Sequence, residues 1–396
     1  MIFPLDETSY QLIHLIGQGA TSQVYSARCL TNNQMLAIKL VDLESYSSEL
    51  DYLRQEVAFW SSSAHPNIVK YYGSFISGAK LYILMEYMPG GSVADALHFG
   101  FKNGFDDENV IKVILHANLF ALEYIHRNNE LHRDIKPANT LIGENGEIKI
   151  GDFGVAAKLM ENGQRKRARY TVIGTPCYMA PEVLKEEIGY TEKADIWSFG
   201  IQAIELALGK APYSDLNPLA IVQKILNAPP PRIPNDGRFS ENFILMVRQC
   251  LNHDPNKRPS AAQLLQSPFF QNVENYSYIK QNVLDKLKPV EERYVLLESE
   301  NMKKVKKNVG KPKWSYNDEI QPKENNGVQK GRFNIKKQSS SDIKEPIITI
   351  EDNEDIVKLN QKIQELEVRI NTLSQENEEI KEQIKMILQN IMRKSK

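Results

Sequence analysis

The sequence predicts an α+β protein that ends in a coiled coil. Three observations predict it. Strand-like runs with β-branched and aromatic residues open the chain: YQLIHLIG at 10–17, QVYSARC at 23–29 and LAIKLV at 36–41. Helical spacing follows at 49–60, where Leu50, Leu53, Val57 and Trp60 fall on one stripe. From Ile356 to Ile391, apolar side chains recur at alternating spacings of three and four.

Composition sets the class. At roughly 150 residues per domain, a chain of 396 residues holds two or three domains. A hydrophobic content of 41% is enough for a sizeable core. Cys29, Cys177 and Cys250 are odd in number and widely spaced, which points to a reducing compartment rather than a disulfide framework. No apolar run approaches the ~18 residues of a membrane span. Acidic Asp6 and Glu7 follow the short apolar start, so no signal-peptide pattern is read there. The expected location is cytoplasmic.

Gly17 and Gly19 lie between the first two strands, in GQGATS, with Ser22 where a phosphate-binding G-x-G-x-x-G loop has its third glycine. Alone, that pattern is weak. Lys39 lies inside the third apolar strand, where a lysine either finds an anion or faces water from an edge. Glu56 sits at the border of the helical stripe and by itself reads as a surface glutamate.

The stretch LHRDIKPANTLIGENGEIKIGDFG at 131–154 decides between these readings. His132, Arg133, Asp134 and Asn139 form H-R-D-x-x-x-x-N. A short hairpin with the turn ENG follows and delivers Asp152, Phe153 and Gly154. GTPCYMAPE at 174–182 and DIWSFG at 195–200 come next. This is the protein-kinase signature set in order, and the chain resembles eukaryotic protein kinases over about residues 10–270. The resemblance implies a bilobal fold within residues 1–270. A small β-rich N-lobe would span 10–90, and a larger α-helical C-lobe 91–270.

The resemblance also implies roles. ATP and Mg²⁺ are the expected cofactors. Gly17 and Gly19 would let backbone amides approach the phosphates, with Ser22 a tolerated change. Lys39 would hold the α- and β-phosphates, oriented by Glu56. Asn139 and Asp152 would hold Mg²⁺ through hard oxygen ligands. Asp134 would take the proton of the attacking hydroxyl, with Lys136 against the γ-phosphate. Val24, Ala37 and Leu141 would sandwich the adenine, Met85 would be the gatekeeper, and backbone groups of Glu86 and Met88 would bind the base edge. Lys136 and Thr175 imply serine/threonine rather than tyrosine acceptors on protein substrates. Thr171 lies where the activating phosphothreonine of such kinases occurs. Arg133 would pair with its phosphate after an upstream kinase or a second copy has acted. The alternative is a catalytically weak pseudokinase-like scaffold; the presence of Lys39, Asp134 and Asp152 together argues against it.

GTPCYMAPEV, KADIWSFGIQAIELALGKAPY and MEYMPGGSVADAL are similar to the sterile-twenty-like kinases. GQGATSQV and HPNIVKYYGSF resemble the Fray / SPAK / oxidative-stress-responsive, germinal-centre-kinase type branch, which implies a stress or osmotic signalling cascade. Residues 269–295 resemble that branch's post-kinase extension, expected to be helical over 271–299. KPKWSYNDE at 311–319 resembles its tryptophan motif, which implies docking of Trp314 on a helical-repeat scaffold protein. That branch also has a docking domain for R-F-x-I peptides. Here a periodic helix takes its place, while Arg332-Phe333-Asn334-Ile335 is itself such a tetrapeptide.

Residues 300–354 read as a basic, mostly disordered linker. Its lysines, Lys303 to Lys313, sit in a chain of net charge -1, so nucleic-acid binding is disfavoured. In the final segment, Ile356, Ile363, Ile370, Asn377, Ile384 and Ile391 take position a, and Leu359, Leu366 and Leu373 position d. Isoleucine at a with leucine at d favours a parallel two-stranded coil, and Asn377 would fix its register. Ile380 and Ile387 at d leave a trimer open. A homodimer through 355–392 is the expected assembly.

Overall fold

A computed structural model describes residues 3–19, 22–43, 57–152, 176–185 and 191–296. Glu56, Phe153, Gly154, Thr171, Thr175, Trp314, the R-F-x-I tetrapeptide and the heptads lie outside the described residues.

Five antiparallel strands form the first sheet: β1 (Tyr10–Gln18), β2 (Ser22–Cys29), β3 (Met35–Asp42), β4 (Tyr71–Ser77) and β5 (Lys80–Met85), in the order β1-β2-β3-β5-β4. Side chains alternate across a strand, and β3 is buried on both faces from Leu36 to Val41. Leu36, Ile38 and Leu40 pack with Ala27, Cys29, Tyr82, Leu84 and Phe3 on one side. Ala37 and Val41 join the large core on the other. Lys39, in phase with Ala37 and Val41, therefore belongs to the face that looks toward the rest of the protein. Phe3 closes the opposite face by packing on Tyr72 at 4.7 Å between ring centroids.

Of the helix expected at 49–60, residues 57–62 are described and helical. Trp60 is buried, and its indole N–H donates to the Val69 carbonyl at 2.7 Å.

A second sheet, β6 (Gly91–Ser92), β7 (Thr140–Ile142) and β8 (Ile148–Ile150), has the order β6-β7-β8. The segment leading into β4 is tied to β8 by backbone bonds: Val69 donates to Ile150, and Ile150 donates to Asn67. Around the second sheet stand α1 (Val93–Phe99), α2 (Glu108–Arg127), α3 (Pro181–Leu184), α4 (Lys193–Leu208), α5 (Pro218–Asn227), α6 (Glu241–Cys250), α7 (Ala261–Leu265) and α8 (Tyr276–Asn282). Ser92 and Asp95 form a capping box at the start of α1, and Asp107 caps α2. α4 is buried nearly all round, as its run IWSFGIQAI requires. It ends at Gly209, whose φ of +78° and whose 2.1 Å approach to the Lys102 carbonyl by any added Cβ both demand glycine.

The core continues past residue 270. Ile279 and Val283 join the main cluster, and helical residues 290–296 follow. Among the described residues, no helix is long and apolar enough to cross a membrane.

Candidate active site

β3 presents Lys39 beside β2, where Val24 lies opposite Lys39 on one side and Gly17 on the other. The hairpin tip closes with the Gly19 N–H donating to the Ser22 carbonyl at 2.8 Å. Lys39 is buried and bonds Asp152 directly. Its expected partner Glu56 lies outside the described residues. Burial pushes the Asp152 carboxyl up, but Lys39, then Lys136 and His132, outweigh this and hold it below the usual carboxylate range. Asp152 has a left-handed φ of +53°, a conformation aspartate tolerates better than most residues.

The segment before Asp134 is held by a residue far along the chain. The buried Asp195 carboxylate accepts the His132 N–H at 2.9 Å and the Arg133 N–H at 2.7 Å. It also accepts from His126 Nε2 at 2.9 Å. Burial raises the Asp195 carboxyl, yet these donors keep it below its ordinary range. Arg133 is thereby kept at φ +69°, a strained setting for a long side chain. His132 is buried and held below its usual pKa by that burial. Its neutral ring accepts the Asp134 N–H at Nδ1 (3.3 Å) and donates from Nε2 to the Gly151 carbonyl (3.2 Å). The imidazole thus spans the two segments that carry Asp134 and Asp152.

Asp134 Oδ2 accepts from Lys136 Nζ at 2.7 Å and from Asn139 Nδ2 at 2.7 Å. Asn139 Nδ2 also donates to the Asp134 carbonyl at 2.8 Å. With both donor bonds used inside the loop, Asn139 Oδ1 has no hydrogen bond among the described residues. That amide oxygen and the Asp152 carboxylate are a hard-oxygen pair of the kind Mg²⁺ takes alongside phosphate and water. Among the described residues, no three His, Cys, Asp or Glu side chains gather to hold a metal alone. Below the loop, Thr140 Oγ1 donates to the Lys136 carbonyl and accepts from Asn118 at 3.0 Å and Gln202 at 2.8 Å. This buried network anchors the loop to α2 and α4.

Ala37 pairs with Met85 in the sheet, and both are buried. The Glu86 N–H donates to Lys70, and the Met88 carbonyl accepts from Gly91. The Glu86 carbonyl and the Met88 N–H are the groups left for a ligand edge. The Glu86 side chain bonds Lys149 on β8 at 2.6 and 2.8 Å, fixing the connection to the strand pair that carries Leu141.

In the helical part of the protein, Arg258 grips Glu182 through two bonds of 2.7 and 2.8 Å and lies 5.0 Å over the Trp197 ring. Tyr178 bonds Glu205, and its carbonyl accepts from Ser198 at 2.7 Å.

Lys39, Asp134, Lys136, Asn139 and Asp152 are thus linked by direct bonds or through His132. Gly17, Val24, Ala37, Leu141, Glu86 and Met88 lie on the strands and connection beside them, and Gly19 in the hairpin tip. The motif DIWSFG assigns Asp195 no role by itself, and nothing in the sequence marks Lys149 or Arg258. A buried acid at the head of an apolar helix was the available signal for Asp195.

The protein kinase domain family matches residues 10–270. The chain is 39% identical over 315 residues to the serine/threonine-protein kinase fray2 of Dictyostelium discoideum, covering 79% of this chain and 30% of that one. It is 38% identical over 306 residues to germinal center kinase 3 of Caenorhabditis elegans, covering 73% and 51%. It is 41% identical over 273 residues to the serine/threonine-protein kinase sid1 of Schizosaccharomyces pombe, covering 69% and 56%. The chain spans between about a third and just over half of the length of these relatives.

Proposed function

The chain belongs to the protein kinase family, and on that premise we propose that it transfers the γ-phosphate of ATP to serine and threonine hydroxyls of proteins. The observation that carries this reading is the bonded set Asp134, Lys136 and Asn139, held under Asp152 and Lys39. In the transfer, the acceptor oxygen bonds to the γ-phosphorus as the bond to the ADP oxygen breaks. Asp134 takes the hydroxyl proton. Lys136 and Lys39 offset the negative charge of the phosphates. Asn139 Oδ1 and Asp152 would hold Mg²⁺, which supplies further charge neutralisation on the phosphates. The Glu86 carbonyl and Met88 N–H bind the adenine edge between Val24, Ala37 and Leu141.

The regulation we propose follows the branch that the sequence resembles: a cytoplasmic stress or osmotic cascade, with phosphorylation of Thr171. The buried Nε of Arg133 has no partner among the described residues, which supports its use by a phosphate. Residues 355–392 assemble two copies and raise the local concentration of one kinase domain for another. Trp314 docks on a helical-repeat scaffold.

A degenerate peptide library with Ser, Thr and Tyr acceptors, incubated with ATP and Mg²⁺ and read by mass spectrometry, tests the class. Phosphoserine and phosphothreonine are expected. Phosphotyrosine alone would overturn the assignment.

A further inference from the structure

The segment after residue 275 lies against the connection between the two sheets. Tyr87 O–H donates to Glu291 Oε1 at 2.6 Å. Arg293 Nη2 donates to the Gly90 carbonyl at 2.7 Å, and its Nε to the Lys288 carbonyl at 2.9 Å. Tyr294 O–H reaches Asp95 Oδ2 at 3.3 Å, the same oxygen that accepts the Ser92 N–H. The packing is close: a Cβ on Gly90 would fall 2.8 Å from Leu284, and one on Gly91 3.0 Å from Val290.

Arg293 is the unusual member. Its exposure is 2%, and Nη1 has no partner among the described residues. Burying a guanidinium without a carboxylate bond is costly, and an apolar side chain would fill the space more cheaply. What the guanidinium alone supplies is a rigid fork joining two carbonyls. One of them, Gly90, also donates its N–H to Ile142, next to Leu141, and Gly91 donates to the Met88 carbonyl. The turn Met88–Gly91 is thus fixed from inside by β7 and from outside by Arg293.

We propose that Arg293 is a positioning residue for the nucleotide: through the Gly90 carbonyl it holds the Glu86–Met88 backbone in its adenine-binding shape, so residues 276–296 set nucleotide affinity from outside the cleft. This rests on the reading that Glu86 and Met88 bind the base.

The test is calorimetric titration of the full chain with ADP and Mg²⁺, beside thermal unfolding and kcat at saturating ATP. Arg293→Lys keeps the charge but loses the fork. It raises the ADP Kd about five- to tenfold, with kcat within about twofold. Tyr87→Phe raises the Kd by a smaller factor of about two to three. Tyr278→Phe breaks the bond of Tyr278 to Asp107 in the same segment. It lowers the unfolding temperature but leaves the Kd within about twofold. An unchanged Kd in Arg293→Lys, or an equal loss in Tyr278→Phe, overturns the proposal. If Arg293→Lys does not fold, an unchanged Kd in Tyr87→Phe overturns it. Wild type that binds ADP without transferring phosphate defeats the kinase reading alone, and the Kd comparison still decides. Wild type that binds no ADP defeats both.

Discussion

Asp195 accepts the backbone N–H of Arg133 at 2.7 Å across sixty-two residues of sequence. A carboxylate on the first turn of α4 therefore holds a left-handed arginine next to Asp134. Both oxygens are used, by His132, Arg133 and His126. Asparagine offers one acceptor oxygen in their place, so Asp195→Asn leaves a buried donor unmet, at about 1–3 kcal/mol. Misplacing Asp134 adds to the kinetic loss. We expect kcat to fall about 100-fold, with a smaller change in KM for ATP. Unchanged kcat would refute the positioning role.

Glu205 gives a pH signature. Burial pushes its carboxyl up to about 7, against a lowering by the Tyr178 hydroxyl, from an ordinary 4.5. Between those values the folded state keeps a proton that the unfolded chain has released. Stability then falls as pH rises through that window and levels off above it. The total is at most about 3 kcal/mol. Melting temperatures of wild type should show this slope between about pH 5 and 7, and Glu205→Gln should flatten it. An identical slope in both would count against the assignment.

Thr171→Ala should lose most of its activity on a protein substrate, because no phosphate then pairs with Arg133. Arg133→Ala should make Thr171 phosphorylation ineffective. Full activity in Thr171→Ala sinks this idea.

The heptads predict self-association. Sedimentation equilibrium of the full chain should give a dimer, and a chain ending at residue 345 a monomer. Ile370→Pro should lower Thr171 phosphorylation along with association. Monomers in both samples would end the hypothesis.

What was legible in the sequence was local. Asp134, Lys136 and Asn139 lie within six residues, so a short segment specifies their mutual bonds. A lysine inside the apolar run LAIKLV either finds an anion or faces water from an edge, and Lys39 is buried on Asp152. The supporting pairs were not legible. Asp195 with Arg133, Lys149 with Glu86, Arg258 with Glu182 and Arg293 with Gly90 join distant segments. Such pairs leave no periodic trace; only the fold brings them together. The hinge shows the same limit. Which groups of Glu86 and Met88 stay free depends on Lys70 and Gly91.

The phosphoryl transfer proposed for this chain turns on Asp134. The most direct measurement is the rate of γ-phosphate transfer from ATP to a protein substrate by wild type and by Asp134→Asn, with ADP affinity measured in both. Robust transfer by wild type and a loss of about 10²–10⁴-fold in the variant are expected, with ADP binding retained. Equal transfer by the two proteins would contradict it.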